Sequence, residues 1–532
     1  MTTLKFVLLL IVVLTFVTVK ASNYDDEMTY EPSDDICNKC NCTNVNGTLE
    51  DGESGTLFTL DCSMKDYERI FAKWPEEMGD NHTGIELIYI LSLSKIQFLQ
   101  QLPPTDATLF FTCRHCNIIK IASHAFINTP NIKLLDLSFN NIESLELFPE
   151  IFKGPYSDEQ LAPIQLQTMD LSHNKISYLE KILFEHMPYL KSLDLSYNPI
   201  DIMNEQSQQA LASLLHLEIL DLSHTGIMEL PGAILENKEK LTEIFLNGNK
   251  FLEIPESLSA VGESLEYLHL SDNPIEEIEE TSLIGLSELK QLNISGLLQL
   301  TEIKKNSLKY LTSLEVFHCF GNVKLTNFDM EDLRELKHLK ELDISNNALT
   351  TLNFGVILEN EDAENLNETM QDIMGKYEDQ FKMLRVLKLA GNPWTCDCDM
   401  MKSLSLFNHN ASYFTKSVNN DDARCKTPYD LSSKLLYDLP MDYVCITYAR
   451  QKSQKIPIYD PPQFLRPKSI MLTVFSVVGV VVLGIIIGFT IVCIKRRLKS
   501  NNDLSYSSSP IRYTTVRDST ISNIANAPYN PS

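Results

Sequence analysis

Residues 190–200 read Leu-Lys-Ser-Leu-Asp-Leu-Ser-Tyr-Asn-Pro-Ile. Apolar side chains occupy the first, fourth, sixth and eleventh positions of this stretch, and an asparagine occupies the ninth. We call this pattern of apolar positions and asparagine the repeat frame. It recurs along the chain, with its ninth position at Cys116, Asn140, Asn174, Asn198, Thr225, Asn249, Asn273, Leu297, Asn322, Asn347 and Asn392. Most of these positions are 24 or 25 residues apart, so the chain contains eleven copies of one unit. A weaker copy lies near residues 87–96, where the sequence does not fix the register.

Each copy predicts one short strand with inward Leu or Ile, and the asparagine amide can bridge backbone groups of neighbouring coils. One coil cannot bury its own apolar face, so the copies must stack. We therefore predict an α/β solenoid over residues 85–391, with its strands in one parallel β-sheet on the concave face. Two insertions, near 150–163 and 355–380, interrupt the period. They are either recognition loops or solvent-exposed loops without a binding role.

The repeat and its flanking cysteines resemble the extracellular leucine-rich-repeat superfamily from about Cys37 to Cys445, including convex-side Phe126 and Phe184. Residues 392–398, Asn-Pro-Trp-Thr-Cys-Asp-Cys, resemble the start of that family's C-terminal cap. The resemblance implies a curved horseshoe that is disulfide-capped at both ends, with caps at 22–84 and 392–446. It also implies four disulfides: Cys37–Cys42, Cys40–Cys62, Cys396–Cys425 and Cys398–Cys445.

Three further cysteines precede the C-terminal cap. Cys319 falls on an inward position, which favours a buried free thiol over a disulfide to a partner. Cys113 and Cys116 also fall on inward positions of the frame. A zinc site would require a second pair of cysteines, and redox chemistry would require a thioredoxin-like context. We therefore expect these two cysteines to pack in the core or to form a local disulfide. We predict no metal site and no cofactor.

The two ends of the chain predict a type I membrane protein. Residues 1–21 have the pattern of a signal peptide, and 470–494 form an uncharged apolar run long enough for one transmembrane helix. A linker at 447–469 precedes this run, and the basic cluster after Ile494 places the tail, 495–532, in the cytoplasm. The predicted location is the plasma membrane with the ectodomain outside. We predict N-glycosylation at the sequons Asn41, Asn46, Asn81, Asn293, Asn367 and Asn410.

Two short motifs concern the predicted span and tail. The span contains Gly484 and Gly488 as G-x-x-x-G, a pattern that permits a homodimer. The tail is short and polar, which predicts disorder. Its Tyr513 and Val516 form a Tyr-x-x-hydrophobic pattern that resembles an endocytic sorting signal.

Two columns of the repeat are candidates for ligand binding. The fifth position is acidic in four consecutive coils, namely Asp136, Asp170, Asp194 and Asp221. These residues form a stripe for a basic partner, or they are simply the usual residues of the superfamily. The eighth position carries rings in the first five coils, namely His115, Phe139, His173, Tyr197 and His224. Such rings either anchor a protein partner or only cover neighbouring coils. The three histidines lie on different coils, so we do not expect them to bind a metal.

Charge and composition narrow the function. The net charge of −26 disfavours nucleic acid and anionic membrane surfaces as partners, although it can also simply keep a large surface solvated. The frame supplies no nucleophile–base pair, so we expect no catalytic residues and no enzyme. The leading hypothesis is a cell-surface adhesion or recognition receptor with a homophilic or heterophilic protein ligand. The alternatives are Toll-like innate immune recognition or co-reception, and matrix or growth-factor tethering.

Overall fold

The computed structural model describes residues 36–49, 52–65, 67–157, 160–352, 383–405 and 422–453. The predicted signal peptide, membrane span and tail, including Tyr513 and Val516, lie outside these residues. So do the insertion at 355–380 and the sequons Asn367 and Asn410. Contacts divide the chain into two compact units, Met1–Ala449 and Arg450–Ser532, and the repeats lie in the first.

One sheet of fourteen strands runs through the first unit. Its strands are β1 (Asn41–Thr48), β2 (Ser54–Asp61), β3 (Ile85–Ser92), β4 (Thr108–Arg114), β5 (Ile132–Asp136), β6 (Thr168–Asp170), β7 (Ser192–Asp194), β8 (Ile219–Asp221), β9 (Glu243–Phe245), β10 (Tyr267–His269), β11 (Gln291–Asn293), β12 (Val316–His318), β13 (Glu341–Asp343) and β14 (Val386–Lys388). They are hydrogen-bonded in this order; β1 is antiparallel to β2, and every later pair is parallel. The parallel sheet predicted from the repeat is therefore confirmed.

The remaining elements are short. Small strands pair away from the main sheet: Phe98–Leu99 with Lys120–Ile121, Tyr156–Ser157 with Gln160–Leu161, Glu277–Ile278 with Glu302–Ile303 and Asn327–Phe328, and Trp394–Thr395 with Cys425–Thr427. The α-helices are α1 (Glu205–Ala212), α2 (Cys398–Ser405) and α3 (Met441–Ser453). The 3-10 helices are Ile36–Asn38, Glu76–Met78, Ser144–Glu146, Pro149–Phe152, Gly232–Ile234, Glu256–Val261, Met330–Glu335, Tyr429–Leu431 and Leu436–Asp438. Among the described residues, no helix has the length and apolarity needed to cross a bilayer.

The asparagine column satisfies the backbone of the core. Asn198 is buried, and its Nδ2 donates to the carbonyl oxygens of Leu171 at 2.9 Å and Leu195 at 3.0 Å. Its Oδ1 accepts the N–H of Ile176 at 3.0 Å. The side chain thus ties one coil to the coil before it, as the frame predicts. Buried peptide groups that lack such partners would destabilise the fold by about 1–3 kcal/mol each.

The structure fixes the register of the weak copy near residue 90. Leu91 of β3 pairs with Cys113 of β4, so Ser94 occupies the ninth position. Ser94 is buried, and its hydroxyl donates to the carbonyl of Lys65 at 3.1 Å. Because serine is shorter than asparagine, the sequence pattern is lost here although the coil is kept.

The cysteines form five disulfides within the described residues. Four of these pairs are Cys37–Cys42, Cys40–Cys62, Cys396–Cys425 and Cys398–Cys445, which are the pairs that the resemblance implies. The fifth pair is Cys113–Cys116, and both of its residues are buried. Cys319 is a buried free thiol whose pKa is raised by burial to about 12, so it stays protonated.

One buried charge was not predicted. Lys238 is 2% exposed, and its Nζ donates to the carbonyl oxygens of Leu211 at 2.9 Å, Ala212 at 3.3 Å and Leu214 at 2.8 Å. These carbonyls lie at the C-terminal end of α1, where peptide oxygens lack helical partners and a cation is favourable. Burial lowers the pKa of Lys238 to about 8.

Candidate protein-recognition face

The eighth position of every coil has a left-handed backbone. Its φ angle is 54° at His115, 55° at Phe139, 53° at His173, 55° at Tyr197 and 54° at His224. The later coils have positive φ at the same position and carry the residues Gly248, Asp272, Gly296, Gly321, Asn346 and Gly391. Glycine, asparagine and aspartate tolerate this conformation, whereas other side chains cost about 1–2 kcal/mol there. The first coils therefore place bulky rings where the backbone disfavours them.

The five rings stack into one column, which we call the aromatic ladder (His115, Phe139, His173, Tyr197 and His224). Successive ring centroids are 4.3, 3.9, 4.0 and 4.3 Å apart, and three of the four contacts are nearly parallel. The ladder ends at Gly248, where an added Cβ would clash with the imidazole of His224. Phe139 remains 37% exposed and Tyr197 46% exposed. His115 and His224 are exposed as well, and His173 is half-buried. The rings thus cover one another while much of the ladder stays at the surface.

The energetics do not favour a purely structural role for the ladder. Each stacked contact contributes about 0.5–1.5 kcal/mol beyond area burial. Each left-handed residue costs about 1–2 kcal/mol. Four contacts therefore contribute about 2–6 kcal/mol beyond area burial, whereas five left-handed residues cost about 5–10 kcal/mol, so stacking does not recover the strain. Backbone strain that brings no clear gain in stability is a reason to look for function.

The acidic stripe borders the ladder. In each of its four residues, Asp136, Asp170, Asp194 and Asp221, Oδ1 accepts the N–H of the serine two residues later, at 2.7–3.0 Å. The stripe is therefore partly a structural feature that closes the strand end. Its side chains are less exposed than the frame predicts, and Asp136 is only 8% exposed.

Arg114 pairs with the first two carboxylates of the acidic stripe. Its Nη2 lies 3.0 Å from Oδ2 of Asp136 and 3.7 Å from Oδ2 of Asp170, and its Nε donates to Ser138 Oγ at 3.0 Å. The chain's own guanidinium group thus pairs with Asp136 and lies within ion-pair distance of Asp170 as well. Within the described residues, no cation lies within ion-pair distance of Asp194 or Asp221. The sequence does contain a sign of these ion pairs, because Arg114 occupies the seventh position, where most coils carry serine.

The titratable groups of the two columns influence one another. Burial raises the pKa of Asp170, Asp194 and Asp221 above the usual range, and repulsion between the carboxylates adds to this effect. Burial lowers the pKa of His173, which the charges of Asp194 and Asp170 partly counteract. The ladder and the stripe are therefore one electrostatic unit, which we call the N-terminal face.

The C-terminal coils of the concave side differ from the N-terminal face. His318 lies 3.3 Å from Glu341, and Lys388 lies 3.1 Å from both Glu341 and Asp343. The charge of Lys388 is thus paired within the chain, and Glu341 also contacts the imidazole of His318. Between the two halves, Asn293 occupies the fifth position, and its Oδ1 accepts the N–H of Ser295 at 3.1 Å. The asparagine replaces the usual aspartate in this hydrogen bond and is also a sequon.

The three other described sequons lie at the N-terminal end. Asn41 and Asn46 are exposed residues of β1, and Asn81 is exposed in the loop before β3. The side-chain oxygen of Asn46 accepts from the Thr56 hydroxyl at 3.1 Å, and that of Asn81 accepts the N–H of Thr83 at 3.0 Å. The side chains are accessible for modification, and all three sites remain predictions.

The fold and the repeat frame are similar to those of leucine-rich-repeat proteins. The family models described as Leucine rich repeat match residues 164–227, 239–298 and 335–351. The chain is 28% identical to Tsukushi of Gallus gallus over 41% of its own length and 62% of that protein, so it spans less than two thirds of this relative. It is 27% identical to Lumican of Rattus norvegicus over 56% of its own length and 89% of that protein.

A solved structure shares the fold. The crystal structure of a TLR13–ssRNA13 complex superposes with a TM-score of 0.50 at 23% identity, covering 70% of this chain and 49% of that chain. At this level of identity the likeness shows the fold alone.

Proposed function

We propose that this protein is a cell-surface recognition or adhesion receptor that binds a protein ligand through the N-terminal face. The aromatic ladder is the observation that carries the proposal. Five rings are held in a disfavoured backbone conformation, and four of them (His115, Phe139, Tyr197 and His224) keep more than a third of their surface exposed. Rings fixed in this way can bury much area on binding with little further loss of conformational entropy.

Glycosylation at Asn293 would restrict binding to one half of the concave side. Asn293 lies on β11, three strands after β8, which carries the last aspartate of the stripe. A glycan attached to Nδ2 leaves Oδ1 free to keep its hydrogen bond to Ser295. The sugar would then project from the concave side and leave the ladder open.

The cellular setting of the proposal rests on sequence patterns alone. A signal peptide at 1–21 and a span at 470–494 would place the repeats outside the plasma membrane and residues 495–532 inside. Homodimerisation through Gly484 and Gly488, and sorting through Tyr513 and Val516, belong to the same proposal. Caps at 22–84 and 392–446 would close the ends of the solenoid.

Matrix or growth-factor tethering is an alternative that uses the same face, and so is innate immune recognition. They differ from adhesion in the ligand, which would be soluble or part of the matrix. Covalent attachment to a partner through Cys319 would favour tethering. Cys319 is fully buried, so the structure offers no support for that route.

Mixing of two differently labelled cell populations tests the proposal. Cells that display the full-length chain are mixed with cells that display it or lack it. Aggregates formed only between displaying cells would indicate homophilic adhesion, and mixed aggregates would indicate a separate receptor. If displaying cells bound no other cells but captured soluble or matrix protein, adhesion would be wrong and one of the two alternatives would replace it.

A further inference from the structure

We propose that the partner segment that docks on the N-terminal face presents arginine, and that its guanidinium group binds between Asp194 and Asp221 beside the ladder. This inference rests on the proposed function, since it names the chemistry of the ligand for the same face. The occupant is a polypeptide segment with an exposed arginine.

The chain itself contains a template for this contact. The guanidinium group of Arg114 spans two neighbouring strands, with Nη2 at 3.0 Å from Asp136 and 3.7 Å from Asp170. Asp136 of β5 pairs in register with Asp170 of β6. One planar cation therefore serves two carboxylates on adjacent coils. A guanidinium group suits this arrangement because it offers several donors in a fixed plane.

The next pair of coils repeats the geometry without the cation. Asp194 of β7 pairs in register with Asp221 of β8, and each aspartate binds the N–H of the following serine as Asp136 does. No lysine, arginine or histidine of the described residues lies within ion-pair distance of either carboxylate. Two adjacent, half-buried carboxylates without a counterion repel each other, and a cation placed between them removes this repulsion.

The ladder adds selectivity for a guanidinium group. Tyr197 and His224 follow Asp194 and Asp221 by three residues in their own coils, and their rings stack with centroids 4.3 Å apart. The site is therefore a carboxylate pair next to an aromatic wall. Arginine combines a flat, weakly hydrated cation with a face that packs on rings, whereas the lysine ammonium is compact and strongly hydrated.

Charge complementarity excludes the other occupants of this face. A polyanion would meet the unpaired carboxylates, and the chain as a whole carries a net charge of −26. The same face on a second copy would be repelled for the same reason. Because the chain itself is strongly acidic, the occupant that fits is a basic segment of a different protein.

Peptide titration of the full-length chain in detergent micelles tests the inference. The probe is a blocked peptide in which arginine alternates with glycine, and its control has the same length with citrulline, a neutral isostere of arginine. At physiological ionic strength the arginine peptide should bind at least roughly tenfold more tightly than the citrulline peptide. Equal binding of the two peptides, or no binding of either, would overturn the inference.

Two variants with the same change in net charge locate the site. Asp194→Ser with Asp221→Ser should weaken binding of the arginine peptide by roughly tenfold or more. A serine hydroxyl can accept the N–H two residues later, so this variant should fold, and unlike asparagine it does not create a new Asn-Leu-Ser sequon. Glu229→Gln with Glu253→Gln alters two exposed carboxylates outside the strands and should leave binding unchanged. An equal loss in both variants would mean unspecific attraction and would overturn the inference.

The cell-binding readout separates this inference from the proposed function. If the aspartate variant kept full cell binding while removal of the rings at 173, 197 and 224 abolished it, the arginine site would be wrong and the recognition face would stand. If neither variant reduced cell binding, the arginine site and the recognition face would both be wrong.

Discussion

Replacement of three ladder rings by asparagine should cost little stability but remove binding. The ladder variant carries His173→Asn, Tyr197→Asn and His224→Asn, because Asn346 occupies the same position in a later coil. It loses three stacked contacts, worth together about 1.5–4.5 kcal/mol. It also relieves left-handed strain at three residues by about 1 kcal/mol each, since asparagine tolerates this conformation. The net change in the free energy of unfolding should therefore stay within about 2 kcal/mol.

Thermal unfolding of the full-length chain, followed by near-UV circular dichroism, measures this change. For a protein of this size, about 2 kcal/mol shifts the Tm by no more than roughly 5 °C. The matched control removes two exposed rings elsewhere through Tyr189→Asn and Tyr429→Asn. A fall in Tm of more than about 10 °C for the ladder variant alone, or its failure to reach the cell surface, would refute the reasoning. The rings would then be a structural element.

Three further predictions concern Lys238, His173 and Asn293. Lys238→Met leaves the carbonyl groups at the end of α1 without their cation, so it should reduce the free energy of unfolding by about 2–4 kcal/mol. Lys240→Met changes an exposed lysine and should leave the free energy of unfolding unchanged. Equal denaturation midpoints of the two variants would contradict this prediction. Burial depresses the pKa of His173, so protonation of this imidazole should lower the stability of the fold as the pH falls from the unfolded-state pKa to the folded-state pKa. NMR titration should show a still lower pKa of His173 in Asp194→Ser, which removes a carboxylate that raises it; a higher pKa would be inconsistent. Asn293→Asp should remove one glycan, which a shift in electrophoretic mobility would show, and it should preserve ligand binding. Loss of ligand binding would argue against the N-terminal face.

The sequence was a good guide to the fold because one frame specifies local structure and packing together. Alternating apolar residues set each strand, and the buried asparagine at positions such as 198 ties coil to coil. The frame is hard to recognise where a shorter residue takes the place of the asparagine. Ser94 does so with a contact to Lys65, which no repeat pattern contains.

The site was less accessible to sequence reasoning because its contacts cross coils. The eighth-position rings were recognised as a column, but stacking at about 4 Å requires equal backbone angles in all five coils. It also requires that the 34-residue step from Asn140 to Asn174 leave the strand register intact, which it does. The neutralisation of Asp136 by Arg114 depends on the same registration.

Lys238 shows a further limit of periodicity. In the sequence it is one of several charged residues between two coils. Only the end of α1, placed against it by packing of the preceding coil, explains its burial. Hydrophobic patterns predict which apolar residues are inside, but a buried charge depends on the polar partners that fold around it.

The most direct test of the central claim is cell binding by the ladder variant at matched surface expression. Cells displaying the wild-type chain, the ladder variant or the Tyr189→Asn, Tyr429→Asn control are offered to the cells or the protein that the wild-type chain binds. We predict that the ladder variant loses at least roughly tenfold in binding and that the control retains it. Unchanged binding by the ladder variant would contradict recognition through the N-terminal face.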